Sequence, residues 1–506
     1  MKQRNTKLAL AVLAALSCLT TSAYAIENEF HGTLRIKGDM TNFAGSGGND
    51  ASGGAVLSTN NLGKSYFYTE QRLRLNYTAK LDYDVKVVAG FEVDSRWGDT
   101  DKSSDRGRNY GGAWETDNVN IETKNVYVEF PLFSLPTKAK VGLMALDDSY
   151  KGIFYNADTA AVMTETTLGK TKLTVGWMRA YDNTTFNGSD ATVPAVNITT
   201  TNATYGTTKN EGSMAGMPGK WSMDIGVLDA KYEVNENLTL GGSYYLVYEN
   251  LLEKQGYGYN IMHTLGVNAV AQLGPAKVDA FLLYQTGDNP VNNFGKTGES
   301  VSAFAFQVAG NVKIGANSSA RASFLYASGD DGKGKGVNAF QGINSLGGET
   351  TSTFTAARMM MLIDHVRNAT TTDRALIANI SNNNMGVIGA FLGYDISFGK
   401  AFANANLGMA AIAKSNDNRP MNLKTMSYNN GNYVGTELNA EVGYKLGENM
   451  VISLLGGYVM LGDYYKDTVR IGGITSTSGI NSSTTLFPIG TPDNPWKTEI
   501  ALNIKW

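Results

Sequence analysis

The chain has 506 residues, of which 42% are hydrophobic and 18% are charged, and it contains 57 Gly, 10 Pro and 1 Cys. This composition excludes a disordered, collagen-like or coiled-coil protein. The formal net charge is −3 and no basic tract is present, which argues against a nucleic-acid-binding protein, because such a protein needs clustered basic residues. About three globular domains would fit this length, but no linker or change in composition divides the chain, so one large domain is favoured.

The first 25 residues have the pattern of a secretory signal peptide. Basic residues at positions 2, 4 and 7 precede an apolar run over residues 8–16, and the small-residue cleavage site Ala23-Tyr24-Ala25 follows. The apolar run is too short to span a bilayer. We predict a signal peptide at 1–25, cut after Ala25, and a single domain at 26–506, which contains no cysteine and therefore no disulfide framework.

Beyond residue 25, apolar residues alternate with polar ones instead of forming long runs. No apolar stretch of about 18 residues occurs, which excludes helical membrane spans. In the first alternating segment Phe30 and Leu34 are interspersed with His31, Arg35 and Lys37, so one face of the strand is apolar and the other is basic. Strands of this kind cross a membrane in about 10 residues when they form a barrel, with apolar side chains toward lipid.

The alternating segments predict an all-β protein of about 18 strands, with about 16 as the alternative. The predicted strands cover residues 30–37, 72–79, 85–96, 119–130, 138–146, 158–167, 171–181, 222–234, 238–249, 260–272, 277–286, 300–313, 319–328, 385–397, 401–413, 432–446, 450–461 and 496–506. The connections between them alternate in length, from short turns such as 398–400 to long Gly- and Asn-rich loops such as 329–384. Short periplasmic turns and long extracellular loops are typical of a transmembrane antiparallel β-barrel of the outer membrane.

The last predicted strand carries the clearest alternation. Trp496, Ile500 and Trp506 share its apolar face, while Lys497 and Glu499 lie on the other, and the chain ends on the aromatic residue. A terminal aromatic residue is similar to the signal read by the barrel assembly machinery, so we predict that Trp506 is an assembly signal. The alternative is an edge strand of a soluble β-sandwich.

A sheet that spans a membrane has to close, because an unpaired backbone amide in hydrocarbon costs several kcal/mol. Barrels of about 16 to 18 strands enclose an aqueous lumen. Charged residues on the polar faces would line this lumen, because lipid does not tolerate them. The arginines could attract anions, or the carboxylates could neutralise them in ion pairs. The candidate pore-lining residues are Arg35, Arg72, Arg74, Glu92, Asp94, Arg96, Glu437 and Glu441.

Two stretches resemble the alginate-export family of outer-membrane porins. They are Tyr68-Thr-Glu-Gln-Arg-Leu-Arg-Leu-Asn-Tyr77 with Phe91-Glu-Val-Asp-Ser-Arg-Trp-Gly98, and Gly435-Thr-Glu-Leu-Asn439 with Gly456-Gly-Tyr-Val-Met-Leu-Gly-Asp463. The resemblance implies a monomeric 18-stranded barrel with Arg72 and Arg74 in an arginine-rich lumen, as in the exporter of a polyuronate. Here carboxylates accompany the arginines, so the resemblance does not imply alginate as the solute.

The longest predicted loop contains a compact run of good helix formers over residues 356–367. Its apolar residues are clustered, and loops of this length usually carry structure. Met359, Met360 and Met361 are therefore predicted to fold inward as a constriction, with a short helix packed on the barrel rim as the alternative.

The sequence offers little for catalysis or metal binding. Its three histidines, His31, His263 and His365, are far apart and have no grouping with serine or aspartate that indicates a hydrolase. No haem-attachment motif occurs. We expect no catalytic residue, no metal site and no cofactor, and the chain is not predicted to be an enzyme.

The prediction for function is an outer-membrane porin for the passive diffusion or export of small hydrophilic solutes, anionic or zwitterionic. Size exclusion at an inward loop and the field of the lumen charges would set its selectivity. The expected partners are outer-membrane lipid and lipopolysaccharide, the barrel assembly machinery and the solute. One alternative is a sheath for a periplasmic partner such as a cytochrome or a polysaccharide secretion machine. Another is a plugged structural or adhesive barrel.

Overall fold

The computed structural model describes residues 26–43, 65–100, 112–114, 116, 119–132, 135–182, 222–250, 260–289, 299–333, 336–343, 354–363, 375–470 and 489–506. The predicted signal peptide at 1–25 lies outside these ranges and stays a prediction. None of the helices within the described ranges is long and apolar enough to cross a membrane.

The described residues are almost entirely β-structure. In chain order the strands are β1 (Glu27–Thr41), β2 (Tyr66–Lys80), β3 (Lys86–Arg96), β4 (Glu122–Leu132), β5 (Thr137–Asp147), β6 (Asn156–Leu168), β7 (Thr171–Asp182), β8 (Ser222–Asn235), β9 (Leu238–Glu249), β10 (Asn260–Leu273), β11 (Ala276–Asn289), β12 (Glu299–Gly315), β13 (Ser318–Ala327), β14 (Val387–Phe398), β15 (Ala401–Ala411), β16 (Met421–Asn422), β17 (Ser427–Tyr428), β18 (Tyr433–Lys445), β19 (Met450–Leu461), β20 (Val469–Arg470), β21 (Ile489–Gly490) and β22 (Trp496–Lys505).

Eighteen of these strands form one closed antiparallel barrel. Each barrel strand pairs with the next barrel strand in sequence, so β15 pairs with β18 and β19 with β22. β1 closes the sheet by pairing with β22, from Thr33 opposite Lys505 to Thr41 opposite Lys497. The remaining four strands have two residues each and form two small ribbons, β16 with β17 and β20 with β21. The prediction of 18 strands is confirmed, and the alternative of 16 is wrong.

The alternation in sequence explains which way each side chain points. Phe30, Phe67 and Leu75 lie on the outer face and are exposed, whereas Lys37 and Glu70 lie on the inner face of the same two strands and are buried. Because consecutive residues of a strand point to opposite faces, this assigns every position of the barrel to lipid or to the interior. Charged residues such as Lys37 and Glu70 therefore lie in the interior.

The two ends of the barrel differ in their connections. At one end the strands are joined by tight turns, in which Gly169, Gly274 and Gly399 adopt φ values of 58°, 61° and 58°. A glycine adopts this left-handed conformation without steric cost. At the other end the connections are long. The strands 238–249 and 450–461 have the predicted bounds, but β4 begins at Glu122 rather than at 119, after an irregular segment.

Candidate pore interior

Six of the candidate pore-lining residues lie together on the interior face of β1, β2 and β3. The antiparallel register places Arg35 opposite Arg72, Arg72 opposite Asp94 and Arg74 opposite Glu92. Arg96 lies opposite Glu70 on the same face. We call the interior faces of β22 and β1–β5 the charged wall.

The arginines of the charged wall are held in ion pairs. Arg72 donates from Nε and Nη2 to the two carboxylate oxygens of Asp94, at 2.7 Å and 2.5 Å. Arg74 Nε donates to Glu92, which also lies 3.8 Å from Lys124 Nζ. A two-pronged contact between guanidinium and carboxylate fixes both groups. Arg72 and Arg74 thus each lie in an ion pair with a carboxylate of β3, and Arg74 keeps 45% of its side chain exposed.

The other two arginines have separate partners. Arg35 Nε donates to Asn503 Oδ1 at 3.0 Å, across the seam between the first and last strands. Arg96 donates to Asp99, which follows the end of β3. Each guanidinium is therefore tied to a neighbouring side chain.

A second group of charges on the charged wall was not singled out from the sequence. Lys37 Nζ lies 3.2 Å from Asp39 and 3.6 Å from Glu70, and Lys497 Nζ lies 3.0 Å from Asp39 and 3.5 Å from Glu499. All five side chains are buried. Alternation alone places each of them on the inner face, but their grouping follows only from the closure of β1 against both β2 and β22.

Near the short turns the charged wall carries a basic cluster. Lys86, Lys138 and Lys140 surround Glu129, with Nζ to carboxylate distances of 3.4 Å, 3.9 Å and 3.5 Å. Their side chains are 36%, 58% and 43% exposed, against 14% for the glutamate. Three cations therefore share one anion, and each of them is more exposed to water than the glutamate is.

The remaining two candidates, Glu437 and Glu441, lie on the interior face of β18. Glu441 accepts a hydrogen bond from Asn404 Nδ2 at 2.8 Å. Glu437 is fully buried and accepts the backbone N–H groups of Met360, Met361 and Leu362 at 2.7 Å, 2.9 Å and 2.7 Å. It therefore contacts the long connection between β13 and β14, not the lumen water that the sequence predicted.

The segment 354–363 lies inside the barrel against the interior faces of β14, β15, β18 and β19. Met359, Met360 and Met361 are buried, and their sulfur-bearing side chains lie over Gly408 of β15 and Gly457 of β19. Phe354 packs against Phe391 of β14, with ring centroids 5.9 Å apart. The segment has one 3₁₀ turn, Thr355–Ala357, and no α-helix among its described residues. The helical alternative is thus not seen in 354–363, and the role of constriction stays a prediction.

A second connection also folds inward, the loop 148–155 between β5 and β6. The carboxylate of Asp148 accepts four backbone N–H groups of this loop, at 2.6 Å to 3.0 Å. Burial raises the pKa of Asp148 to about 6, and these hydrogen bonds offset part of that rise. Tyr150 shares a hydrogen bond with Ser243 of β9, and Lys151 Nζ lies 3.1 Å from Asp279 of β11. Nothing in its sequence distinguished this loop from an ordinary outer one.

The inward loops contact one another and form one apolar cluster. Ile343 N–H, in the connection between β13 and β14, donates to the Phe154 carbonyl at 2.7 Å. This hydrogen bond joins that connection to the loop 148–155. Tyr464, from the connection after β19, donates to Met385 Sδ at 3.6 Å. We call the interior faces of β9–β15, β18 and β19, on which these loops pack, the covered wall.

Within the described ranges, no group of three or more His, Cys, Asp and Glu side chains comes together in a way that could hold a metal ion. His31 lies on the interior face of β1, and His263 shares a hydrogen bond with Tyr244 on the outer face. His365 lies outside the described residues.

Comparison with known proteins identifies the fold. No protein family and no curated protein matches the chain. Among solved structures, the outer membrane protein OpdK from Pseudomonas aeruginosa matches over 95% of this chain and 98% of its own, with 10% identity and a TM-score of 0.51. OccK8 (OprE) of the same organism matches over the same shares with 12% identity and a TM-score of 0.49, and Acinetobacter baumannii OccAB4 with 12% and 0.48.

The match to OpdK shows that the chain has the 18-stranded barrel fold of an outer-membrane porin. It supports a porin-like barrel in general and not the alginate-export family, to which the two sequence stretches were compared. At this level of identity the likeness concerns the fold alone.

Proposed function

We propose that this chain is an outer-membrane channel for the passive diffusion of small hydrophilic solutes, with a preference for anionic or zwitterionic ones. The observation that carries the proposal is the exposure of charged side chains on the inner face of the barrel. Arg74 and Lys138 keep 45% and 58% of their side-chain surface exposed. Charges that point into a closed barrel and remain solvated require water in the lumen.

The inward loops supply the second element of a channel. They pack on the covered wall, so a solute that crosses the barrel passes between these loops and the charged wall. Size exclusion at this gap would limit the solutes to small ones. Met359, Met360 and Met361 would form part of this constriction by holding the loop against the wall, not by facing the solute, because they are buried.

The unequal exposure of cations and anions supports the preference for anions. Glu92 and Glu129 are 1% and 14% exposed, whereas Arg74, Lys138 and Lys140 around them are between 43% and 58% exposed. Low-dielectric walls focus the field of exposed charges into the lumen. An anion would therefore be concentrated along the charged wall.

The fold also supports the location and the contacts of the protein. The exposed apolar belt on the outer face fits the outer membrane, with lipid and lipopolysaccharide as neighbours. Assembly by the barrel assembly machinery remains part of the proposal and depends on the terminal Trp506. The alternative of a sheath around a partner protein is less well supported, because the inward loops occupy space that the partner would need.

The proposal is tested by inserting the folded protein into planar bilayers. We expect discrete current steps, with a reversal potential in a salt gradient that favours anions. Protein unfolded by heating, and identified by its changed mobility on gels, is the control. Folded protein that gives no current would support the plugged-barrel alternative instead.

A further inference from the structure

The contact between Glu437 and segment 360–362 has the form of an anion-binding site. Three consecutive backbone N–H groups, of Met360, Met361 and Leu362, converge on the two oxygens of one carboxylate at 2.7 Å to 2.9 Å. Successive N–H groups that point to one side of the chain form a concave nest that binds anions. Here the nest is filled by a side chain of the protein itself.

The wall is shaped to receive this nest. Gly408 lies directly opposite Glu437 on the neighbouring strand, and a Cβ atom at Gly408 would lie 2.4 Å from Met359 Sδ. A Cβ atom at Gly457 would lie 3.0 Å from Met360 Sδ. Two positions without side chains therefore leave the space that the segment occupies. A side chain at either position would require the methionine side chain above it to shift.

Asn439 completes the arrangement. Its Nδ2 donates to Glu437 Oε1 at 2.7 Å and lies 3.2 Å from the Arg358 carbonyl, so it bridges the carboxylate and the segment. Buried backbone N–H groups outside a sheet need acceptors, and a buried carboxylate needs donors. Glu437 and segment 358–362 meet both requirements for each other.

Asp148 shows the same device in the other inward loop, with a difference in sequence distance. Its carboxylate accepts N–H groups of Tyr150, Gly152, Phe154 and Tyr155, all within seven residues. Asp148 therefore shapes its own loop. Glu437 is more than 70 residues from its donors and belongs to a barrel strand, so it ties the loop to the wall.

We propose that backbone N–H groups 360–362 form a carboxylate-binding site whose resident occupant is Glu437, and that its occupation holds the constriction in place. Glu437 is thus a positioning residue. The statement that occupation of the site holds the constriction in place rests on the proposed channel function. If the side chain of Glu437 is shortened, the vacant site should accept a small monocarboxylate from solution.

Acetate is the probe because it replaces the atoms that Glu437→Ala removes, namely Cγ, Cδ and both oxygens. We expect Glu437→Ala to give a larger and noisier single-channel current than the unmodified protein. Acetate added in place of chloride should return the current to the unmodified level with a saturable dependence on concentration. Glu441→Ala, on the same face of the same strand, is the matched control, and its current should show no saturable dependence on acetate.

A second readout does not depend on conduction. Arg358 lies two residues before Met360, and trypsin is too large to enter the barrel, so cleavage after Arg358 reports release of the loop. We expect cleavage in Glu437→Ala, protection by acetate, and no cleavage in the unmodified protein. Folding of each variant is checked by its heat-dependent mobility on gels.

The outcomes separate the two proposals. Folded Glu437→Ala that resists trypsin and conducts as the unmodified protein would overturn the positioning role. Cleavage that acetate does not reduce would overturn the binding site. If the unmodified protein gives no current but trypsin and acetate behave as expected, the site stands and the channel function fails.

Discussion

The charged wall and the covered wall of the barrel are stabilised in different ways. On the charged wall, ionised side chains pair with those of the adjacent strand, as Arg72 does with Asp94, 22 residues away. On the covered wall, strand residues contact loops, as Glu437 does with Met361, 76 residues away. The ion pairs between adjacent strands follow from the strand register. The contacts between strands and loops depend on how a long loop folds.

The difference also separates two tasks of a channel. The charged wall keeps solvated cations along its short-turn end and can act on the charge of a solute. The covered wall narrows the lumen and can act on its size. Changes on the charged wall should therefore alter mainly the ion selectivity, and changes on the covered wall should alter mainly the conductance. The following predictions test this division.

The largest effect is expected at the seam of the charged wall, where β1 meets β22. Gly32 exchanges backbone hydrogen bonds with Trp506 at 3.0 Å and 3.1 Å, and a Cβ atom on Gly32 would lie 2.1 Å from the Trp506 ring. Gly32→Val should therefore abolish or strongly reduce the folded barrel, and so should deletion of Trp506, without a change in signal cleavage. The yield of heat-modifiable protein in outer membranes measures this.

The matched control is Gly38→Ala on the same strand and face, where the added Cβ atom would meet Ile500 at an ordinary 3.4 Å. It should assemble normally. Normal yield of the Trp506 deletion would contradict the role of this residue in assembly.

The next largest effect is expected on the covered wall. Replacing residues 329–384 by a short Gly-Ser linker removes the buried methionine segment and should raise single-channel conductance severalfold, because the lumen of an 18-stranded barrel is wide without loops. The anion preference should persist, since the charged wall is intact. Unchanged conductance of the folded variant would mean that this loop does not narrow the pore.

The basic cluster should set selectivity more than conductance. Replacing Lys86, Lys138 and Lys140 by Gln leaves Glu129 without its cations, and the reversal potential in a salt gradient should move toward cations. Glu129→Gln is the matched control and should move it toward anions. Equal reversal potentials in the two variants would show that the cluster lies off the solute path.

Much of the fold could be predicted from the sequence, because period-2 alternation fixes the face of each residue and is readable locally. Strand number, antiparallel pairing and the interior placement of Arg72, Arg74 and Glu437 follow from it. The inward position of loop 148–155 could not be predicted, since the acceptor of its N–H groups is a single Asp148 and its contacts are on β9 and β11. The partner of Glu437 was likewise hidden, because no local pattern links positions 437 and 360.

A smaller effect is expected from pH at the loop 148–155. Burial raises the pKa of Asp148 from 3.8 to about 6. The Asp148 carboxylate therefore binds a proton more tightly when the loop is packed inward than when the loop is exposed to solvent. The inward position is then most stable below about pH 4 and loses about 3 kcal/mol as the pH rises through 6. Openings in the current should be rarer at pH 4.5 than at pH 7.5.

Asp148→Asn is the control for this pH dependence. The amide does not titrate, so the frequency of openings should no longer change over this range in the variant. Tyr150, Lys151 and Tyr155 are the other charged and titratable groups of the loop itself, and Asp147, Asp229, Tyr245 and Asp279 lie around it. A pH dependence that persists in Asp148→Asn would assign it to one of these groups or to the charged wall.

The smallest effect is expected from removing a whole ion pair of the charged wall. Arg72 is only 15% exposed and its guanidinium is neutralised by Asp94, so the pair contributes little field to the lumen. Arg72→Ser with Arg74→Ser removes two cations beside Asp94 and Glu92 and should move the reversal potential toward cations, more in dilute salt, where screening extends to about 30 Å rather than about 10 Å. Arg72→Ser combined with Asp94→Asn removes both charges and should leave the potential close to that of the unmodified protein. A shift in this neutral double variant as large as that of the two arginine replacements would mean that Arg72 acts on solutes as a free charge.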